Sequence, residues 1–251
     1  VFDSCGASFQ ANADHSRIAA VCKEGDARNI KIIDFATRSV ISTLAAPNEG
    51  HIYHMRFMPD QQTFLFGILR EDMQRFIFWN GRSEKLPAGD ELMSDPLVLT
   101  NPERVGAIIG DVTKVYLYEA FSGTQRNENI YGYIQDLIMS RDGRHHAYIG
   151  VKPGDDERPQ IVVDGHEGPL FDKIVSPVFS PDGRFLVYRA RHAGKRFLVV
   201  SDLKGKVLRQ YQNYDMVFQP VFTEDGSAVA YGALDGNELW WKVEKLPNEV
   251  R

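Results

Sequence analysis

Short apolar runs alternate with polar turns along the chain, and the clearest example is VFSPDGRFLVY at residues 178–188. Two segments rich in β-branched and aromatic residues flank a Pro-Asp-Gly turn, a pattern typical of two antiparallel strands joined by a tight turn. In such a turn the Asp182 carboxylate accepts hydrogen bonds from backbone amides, and Gly183 adopts a positive φ. The pattern therefore predicts a β-hairpin.

The same hairpin recurs six times, at a nearly constant spacing of 40 to 46 residues. Its turn falls at Asp14, Asp60, Pro102, Asp142, Asp182 and Asp225. A third predicted strand follows each hairpin, at residues 30–34, 76–79, 115–119, 160–164, 197–201 and 239–243. A fourth, weaker strand follows in most repeats, for example at 40–44 and 207–211. Four antiparallel strands per repeat are typical of a propeller blade.

We therefore predict an all-β fold, a six-bladed β-propeller of four-stranded antiparallel blades that takes up residues 1–251 as a single domain. The repeats run approximately over residues 4–48, 49–90, 91–130, 131–172, 173–214 and 215–246. The last repeat has three clear strands before Pro247, which disfavours a further central strand. Its outer strand could come from residues 1–4 or from residues upstream of Val1, or the final blade could have three strands.

Three segments carry a resemblance to a known family: SPDGR at 180–184, VDGHEGP at 163–169 and ELWWKV at 238–243. They resemble the bacterial propeller repeats of the TolB-like type, which are related to WD-type repeats. The resemblance covers nearly the whole chain and is strongest from about residue 134 to 246. It departs from the family pattern at 101–103, where NPE replaces Pro-Asp-Gly. The resemblance implies a propeller and a binding role, without one shared ligand.

Alignment of the six copies separates a core position from a polar one. The residue three before each turn position is apolar in every copy, which predicts a core position. The residue six before it is polar in five copies, and the residue seven before it is mixed. The position six before the turn is occupied by Ser8, His54, Pro96, Asp136, Ser176 and Gln219. The position seven before the turn is occupied by Ala7, Tyr53, Asp95, Gln135, Val175 and Phe218.

These positions predict a polar and aromatic ring at the mouth of the central channel, formed by Tyr53, His54, Asp95, Gln135, Asp136, Ser176 and Gln219. We expect loops on the same face to add Arg189 and Arg191, from the basic segment 189–196. Such a ring suits a peptide or a small polar ligand. The alternative is a water-filled channel whose polar lining satisfies the strand ends, beside a solvated basic hairpin loop.

No catalytic signature is present: the sequence has no G-x-S-x-G elbow, no H-E-x-x-H and no Walker-type phosphate loop. No metal-ligand spacing is present either, so we expect neither a metal nor a cofactor. The sequence favours a non-catalytic binding or scaffold propeller that holds a protein segment or a small ligand at the channel mouth. The alternative is a propeller enzyme, with His54 and Asp136 as the acid–base pair, or the gating domain of a peptidase-like enzyme.

The net charge restricts the class of partner that we expect, and the cysteines restrict the cellular compartment. The net charge of −5 makes nucleic acid a poor ligand, so we expect a protein or peptide partner. No apolar run approaches the roughly 20 residues that span a bilayer. Cys5 and Cys22 fall on adjacent predicted strands, so they form either a disulfide or two separate buried thiols. A disulfide and a chain that starts at Val1 without Met favour a periplasmic or secreted protein over a cytoplasmic one.

Overall fold

The computed structural model describes residues 4–58, 64–79, 81–94, 97–99, 104–111, 113–121, 129–154 and 157–247. Across these residues every regular element is a β-strand and none is a helix, so the chain is all-β. The same residues contain no helix with the length and hydropathy that crossing a bilayer requires. The chain divides into two compact units, Val1–Val98 and Leu99–Arg251, and each is described by itself.

Unit 1 contains two four-stranded antiparallel sheets, and the strands of each sheet follow one another in chain order. The first sheet consists of β1 (Ser4–Ala11), β2 (Arg17–Glu24), β3 (Ala27–Asp34) and β4 (Val40–Ala46). The second consists of β5 (His51–Phe57), β6 (Phe64–Leu69), β7 (Arg75–Trp79) and β8 (Arg82–Lys85). The short strands β9 (Glu91–Leu92) and β10 (Leu97–Leu99) lead the chain into unit 2.

Unit 2 continues the same plan. It begins with the antiparallel pair β11 (Arg104–Gly110) and β12 (Val115–Ala120). The next sheet is β13 (Tyr133–Met139), β14 (His146–Val151), β15 (Pro159–Val163) and β16 (His166–Leu170), and it is followed by β17 (Lys173–Phe179), β18 (Leu186–His192), β19 (Lys195–Ser201) and β20 (Val207–Gln210). The last sheet contains β21 (Met216–Val217), β22 (Val221–Phe222), β23 (Ala228–Asp235) and β24 (Glu238–Lys245).

The predicted Pro-Asp-Gly hairpin is confirmed at residues 178–188. The Oδ1 atom of Asp182 accepts hydrogen bonds from the backbone N of Arg184 (3.1 Å) and from the Ser180 hydroxyl (2.6 Å). Gly183 has a φ of 70°, a backbone conformation that glycine adopts without steric cost. The same two contacts recur around Asp142. The turns at Asp60 and Pro102 lie outside the described residues.

Buried apolar residues join each sheet to the next within unit 2. Tyr188 of β18 is fully buried, in one cluster with Ile149 and Ile161 of the preceding sheet. Tyr231 of β23 is buried with Val200 of the β17–β20 sheet. Each sheet thus covers a face of its neighbour, which is the packing expected of stacked repeats.

The first sheet holds the two cysteines of the chain. Cys5 of β1 lies directly opposite Cys22 of β2, and the two residues are joined by a disulfide, with 4.0 Å between their Cα atoms. The bond therefore ties the first strand of this sheet to the second.

The last sheet has three strand positions, because β21 and β22 both pair with the same edge of β23 and are separated by a break that contains Pro220. Along the described part of the chain no strand pairs with the outer edge of β24. Ser4, which sequence analysis considered for this edge, instead begins β1 and pairs with Lys23. Val1–Asp3 lie outside the described residues.

Candidate binding site

The aligned polar position coincides with a β-bulge in the first strand of three sheets. In β17, Ser176 and Pro177 lie between the pairs Val175↔Arg189 and Val178↔Val187, opposite the single residue Tyr188. The same two-against-one arrangement occurs in β13 at residues 136–137 and in β5 at residues 54–55. It is the arrangement of a β-bulge, which bends the strand and redirects a side chain.

The bulge also explains why the position is polar. His54, Asp136 and Ser176 have φ values of 46°, 54° and 54°. Few side chains tolerate this left-handed conformation, and Asp and His are enriched in it. Sequence analysis assigned the polarity to channel lining alone, whereas the backbone supplies a second, conformational reason.

In unit 2 two of the predicted site residues are in direct contact. The Nη2 atom of Arg189 donates a hydrogen bond to the Ser176 hydroxyl (2.7 Å). Its Nη1 atom donates to the carbonyl oxygen of Val217, which lies in β21 of the next sheet (2.9 Å). The Arg189 guanidinium is half-buried, and this burial lowers its pKa. The side chain therefore places a positive charge in the cleft between two neighbouring sheets.

The expectation that Arg189 and Arg191 belong to a loop was wrong. Both lie within β18, and the hairpin loop consists only of Ala193 and Gly194. These two residues have φ values of 48° and 78°. A two-residue turn with two positive φ values matches the twist of the flanking strands, so the strands remain paired up to His192 and Lys195.

A cavity of about 290 Å³ lies at this end of the β17–β20 sheet, beside β21. Four basic residues line it: Lys173, Arg189, Arg191 and Arg196. Its apolar lining comes from Val175, Ala190, Met216 and Val217. We call this cavity the basic pocket. It lies at the end of the sheet opposite the Asp182 turn, because it is lined by the beginning of β17 and the end of β18.

Strand register places the four basic side chains on one face. Lys173 lies directly opposite Arg191, which in turn lies directly opposite Arg196. Arg189 is two residues from Arg191 in the same strand and so points to the same face. Like charges directly opposite one another in a sheet destabilise it. The sequence showed the basic segment 189–196, but it did not show Lys173, which joins the group only through the pairing of β17 with β18.

No carboxylate balances most of this charge. Across the part of the chain that the structure describes, Lys173, Arg189 and Arg191 form no ion pair. At the rim, Asp172 accepts from the backbone N of Ala193 (2.8 Å). The Asp215 carboxylate accepts from that of Gly236 (2.9 Å) and lies 3.5 Å from Lys195 Nζ. The Gly236 contact and the charges of Lys195 and Arg196 lower the pKa of Asp215. Arg196 therefore has an acidic neighbour, whereas the charges of Lys173, Arg189 and Arg191 are left without an ion pair among the described residues.

The remaining predicted residues of unit 2 lie on neighbouring elements. Gln135 and Asp136 belong to β13, which contacts β17, and Asp136 is exposed. Gln219 is exposed and follows β21. Asp95 lies outside the described residues. In this unit the structure thus brings Arg189 into contact with Ser176 and places Arg191 in the same pocket. Gln135 and Asp136 lie on the flanking strand β13, and Gln219 lies between β21 and β22.

In unit 1, Tyr53 and His54 lie in β5, and their rings meet edge to face with 5.2 Å between the centroids. Burial raises the pKa of Tyr53 to about 12. His54 is exposed. Because His54 belongs to unit 1 and Asp136 to unit 2, their role as an acid–base pair stays a prediction.

A hydrogen-bonded cluster of His145, His146 and Asp164 lies at the end of the β13–β16 sheet that carries the Asp142 turn. The Nδ1 atom of His145 is 2.6 Å from Asp164 Oδ2, and the backbone N of His146 donates to Asp164 Oδ1 (2.9 Å). His146 is buried, whereas His145 is partly exposed. Among the described residues no group of three His, Cys, Asp or Glu side chains could hold a metal ion. This cluster ties the second strand of the sheet to the end of the third.

No protein-family model and no curated protein sequence matches the chain. Solved structures that resemble it include a eukaryotic initiation factor, with 10% identity, a TM-score of 0.55, and coverage of 96% of this chain and 62% of that one. Oligogalacturonate lyase from Vibrio parahaemolyticus is 10% identical, covers 96% and 78%, and has a TM-score of 0.47. TolB from Acinetobacter baumannii is 19% identical, covers 83% and 55%, and has a TM-score of 0.36. The lyase and TolB are β-propeller proteins. The likeness to the initiation factor concerns the fold alone.

Proposed function

We propose that the chain is a single six-bladed β-propeller and that it acts as a non-catalytic scaffold for a protein segment. The main support for this proposal is the basic pocket of unit 2. Arg189 and Arg191 line this cavity between two sheets, and Arg189 also donates a hydrogen bond to the Ser176 hydroxyl. Scaffolds of repeated sheets present their ligands with a pre-formed surface, which lowers the entropic cost of binding. The TolB-like repeat pattern supports the same role.

Single-domain closure has a direct physical test. A compact domain of this length has a radius of gyration of about 18 Å. We expect small-angle scattering to give that value. Two units that move independently on a linker would give a clearly larger radius and would refute the closed propeller.

We propose an oxidising compartment, either periplasmic or secreted, because of the Cys5–Cys22 disulfide. Reducing conditions would open such a bond, so the protein would keep this disulfide only after export from the reducing cytoplasm. Mass spectrometry of the native protein with thiol alkylation tests this. Protein from its natural host whose two thiols are alkylated without prior reduction would contradict the proposal.

Site-specific photo-crosslinking tests the binding role. A photoreactive phenylalanine replaces Gln219, which is exposed beside the pocket, and in a matched control it replaces Lys204, which is exposed in the turn after β19. Both variants are expressed in the natural host and irradiated. We expect a discrete protein adduct from position 219 and none from position 204. Equal adducts from both positions, or none from either, would refute a binding surface at this end of the sheets.

A further inference from the structure

The basic pocket holds positive charge that the fold itself does not use. Lys173, Arg191 and Arg196 form one rung across three strands, so three cations repel one another on a single face. Arg196 Nη1 donates to the Asp215 carbonyl oxygen (2.5 Å), and Arg189 donates to that of Val217. These carbonyls are neutral, so they orient the guanidinium groups without cancelling their charge, although the Asp215 carboxylate also attracts Arg196. A half-buried cation without a counterion carries a free-energy cost that an incoming anion would remove.

The pocket also has an apolar side. Val175 and Ala190 belong to the same sheet as the cations, and Met216 and Val217 come from the neighbouring sheet. A ligand that fills this cavity therefore needs an anionic head and an apolar stem or neighbour. A Glu side chain has a carboxylate on two methylene groups, and an adjoining Leu would meet Met216 and Val217. The planar guanidinium of arginine matches a carboxylate with two parallel hydrogen bonds.

We propose that the basic pocket binds the acidic side chains of a partner protein segment, with Lys173, Arg189 and Arg191 as its ligands. The proposal rests on the binding role above and specifies its chemistry. A phosphodiester chain fits less well, because four lining residues of the pocket are apolar and its backbone presents no apolar group beside its charges.

Fluorescence anisotropy with the purified full chain tests this proposal. The probe is a fluorescein-labelled peptide of eight residues that alternates Glu and Leu, and its matched control alternates Gln and Leu. A labelled oligothymidylate of eight nucleotides tests the phosphate alternative. We expect the Glu peptide to bind about tenfold or more tightly than the Gln peptide, and its affinity to fall as salt rises.

Three variants change residues of the basic pocket, and a fourth variant serves as the control. Lys173→Gln and Arg191→Gln each remove a charge and should weaken binding of the Glu peptide about fivefold to tenfold. Arg189→Lys keeps the charge but loses the planar fork, and should weaken it similarly. Lys204→Gln changes the net charge equally at an exposed turn and should leave the affinity unchanged.

A stability readout separates this role from a structural one. Because the rung of three cations is self-repelling, Arg191→Gln should raise the midpoint of thermal unfolding while it weakens peptide binding. Lys173→Gln should do the same, which keeps the test valid if Arg189→Lys fails to fold. Equal affinity for the Glu and Gln peptides, an equal loss with Lys204→Gln, or preferential binding of the oligothymidylate would each overturn the proposal.

The two proposals can fail separately. If the adduct at position 219 forms in the wild type and persists in a Lys173→Gln, Arg191→Gln double variant, the binding surface stands and the acidic ligand is wrong. If the Glu peptide binds as expected but position 219 gives no adduct in the host, the pocket chemistry stands and the scaffold role is wrong.

Discussion

Replacement of Gly150 by Ala should destabilise unit 2 through a single steric contact. Gly150 lies in β14, and a Cβ atom there would lie 2.6 Å from Cε1 of the Tyr131 ring. That ring cannot move away easily, because Tyr131 is fully buried and its hydroxyl donates to Glu167 Oε1 (2.8 Å). Overpacking of this kind costs about 1–3 kcal/mol. The reduced freedom of the unfolded chain returns about 0.4–1 kcal/mol, so the middle of these ranges gives a net loss of about 1 kcal/mol.

Urea unfolding followed by circular dichroism measures this loss for Gly150→Ala against the wild type. Gly132→Ala is the matched control in the same unit, because its Cβ would make only ordinary contacts, at 3.5 Å from Pro153. We expect the control to raise the free energy of unfolding by about 0.4–1 kcal/mol, because only the reduced freedom of the unfolded chain remains. In a Tyr131→Leu background the Gly150→Ala cost should shrink, since the smaller side chain leaves room. A Gly150→Ala protein as stable as the wild type, or an unchanged cost in the Tyr131→Leu background, would refute the reasoning.

Three further predictions concern stability. Hydrogen bonds from Thr223 and Ser227 lower the pKa of Asp225 from 3.8 to about 2. The ionised carboxylate therefore stabilises the fold above pH 3.8, and this effect is lost as the pH falls towards 2. The thermal midpoints of wild type and Asp225→Asn should differ at pH 5 and converge near pH 2. Reduction of the Cys5–Cys22 bond should cost about 2–4 kcal/mol, measured as a lower thermal midpoint with reductant, and a Cys5→Ser, Cys22→Ser variant should not respond to it. Gly67→Ala should destabilise unit 1 in calorimetry by about 1–3 kcal/mol, because its Cβ would lie 2.7 Å from Cζ of Tyr53.

Local chemistry made much of the fold predictable. The Pro-Asp-Gly turn at 181–183 determines its own conformation, because the Asp182 contacts span only a few residues. The positions of the strand ends were predicted less accurately. The predicted strand at 197–201 begins at Lys195 in the structure, since the Ala193–Gly194 turn is shorter than its basic neighbours suggested.

The candidate site was only partly predictable, because it depends on pairing between strands. The repeat alignment found the position of Ser176, but a one-dimensional pattern does not reveal a bulge or its positive φ. Lys173 and Arg191 are 18 residues apart in the chain and directly opposite in the sheet. Likewise, the contact of Arg189 with the Val217 carbonyl oxygen follows only from the packing of one sheet on the next.

The most direct test of the central claim observes the Arg189 guanidinium itself while the ligand binds. In protein labelled with ¹⁵N-arginine, the Nε–Hε resonance of Arg189 is assigned by its loss in Arg189→Lys. We predict that the Glu and Leu peptide shifts this resonance and that of Arg191, with a saturable dependence on concentration, and that the Gln and Leu peptide does not. Resonances of both residues that stay unchanged at saturating Glu peptide would contradict the claim that the basic pocket binds acidic side chains.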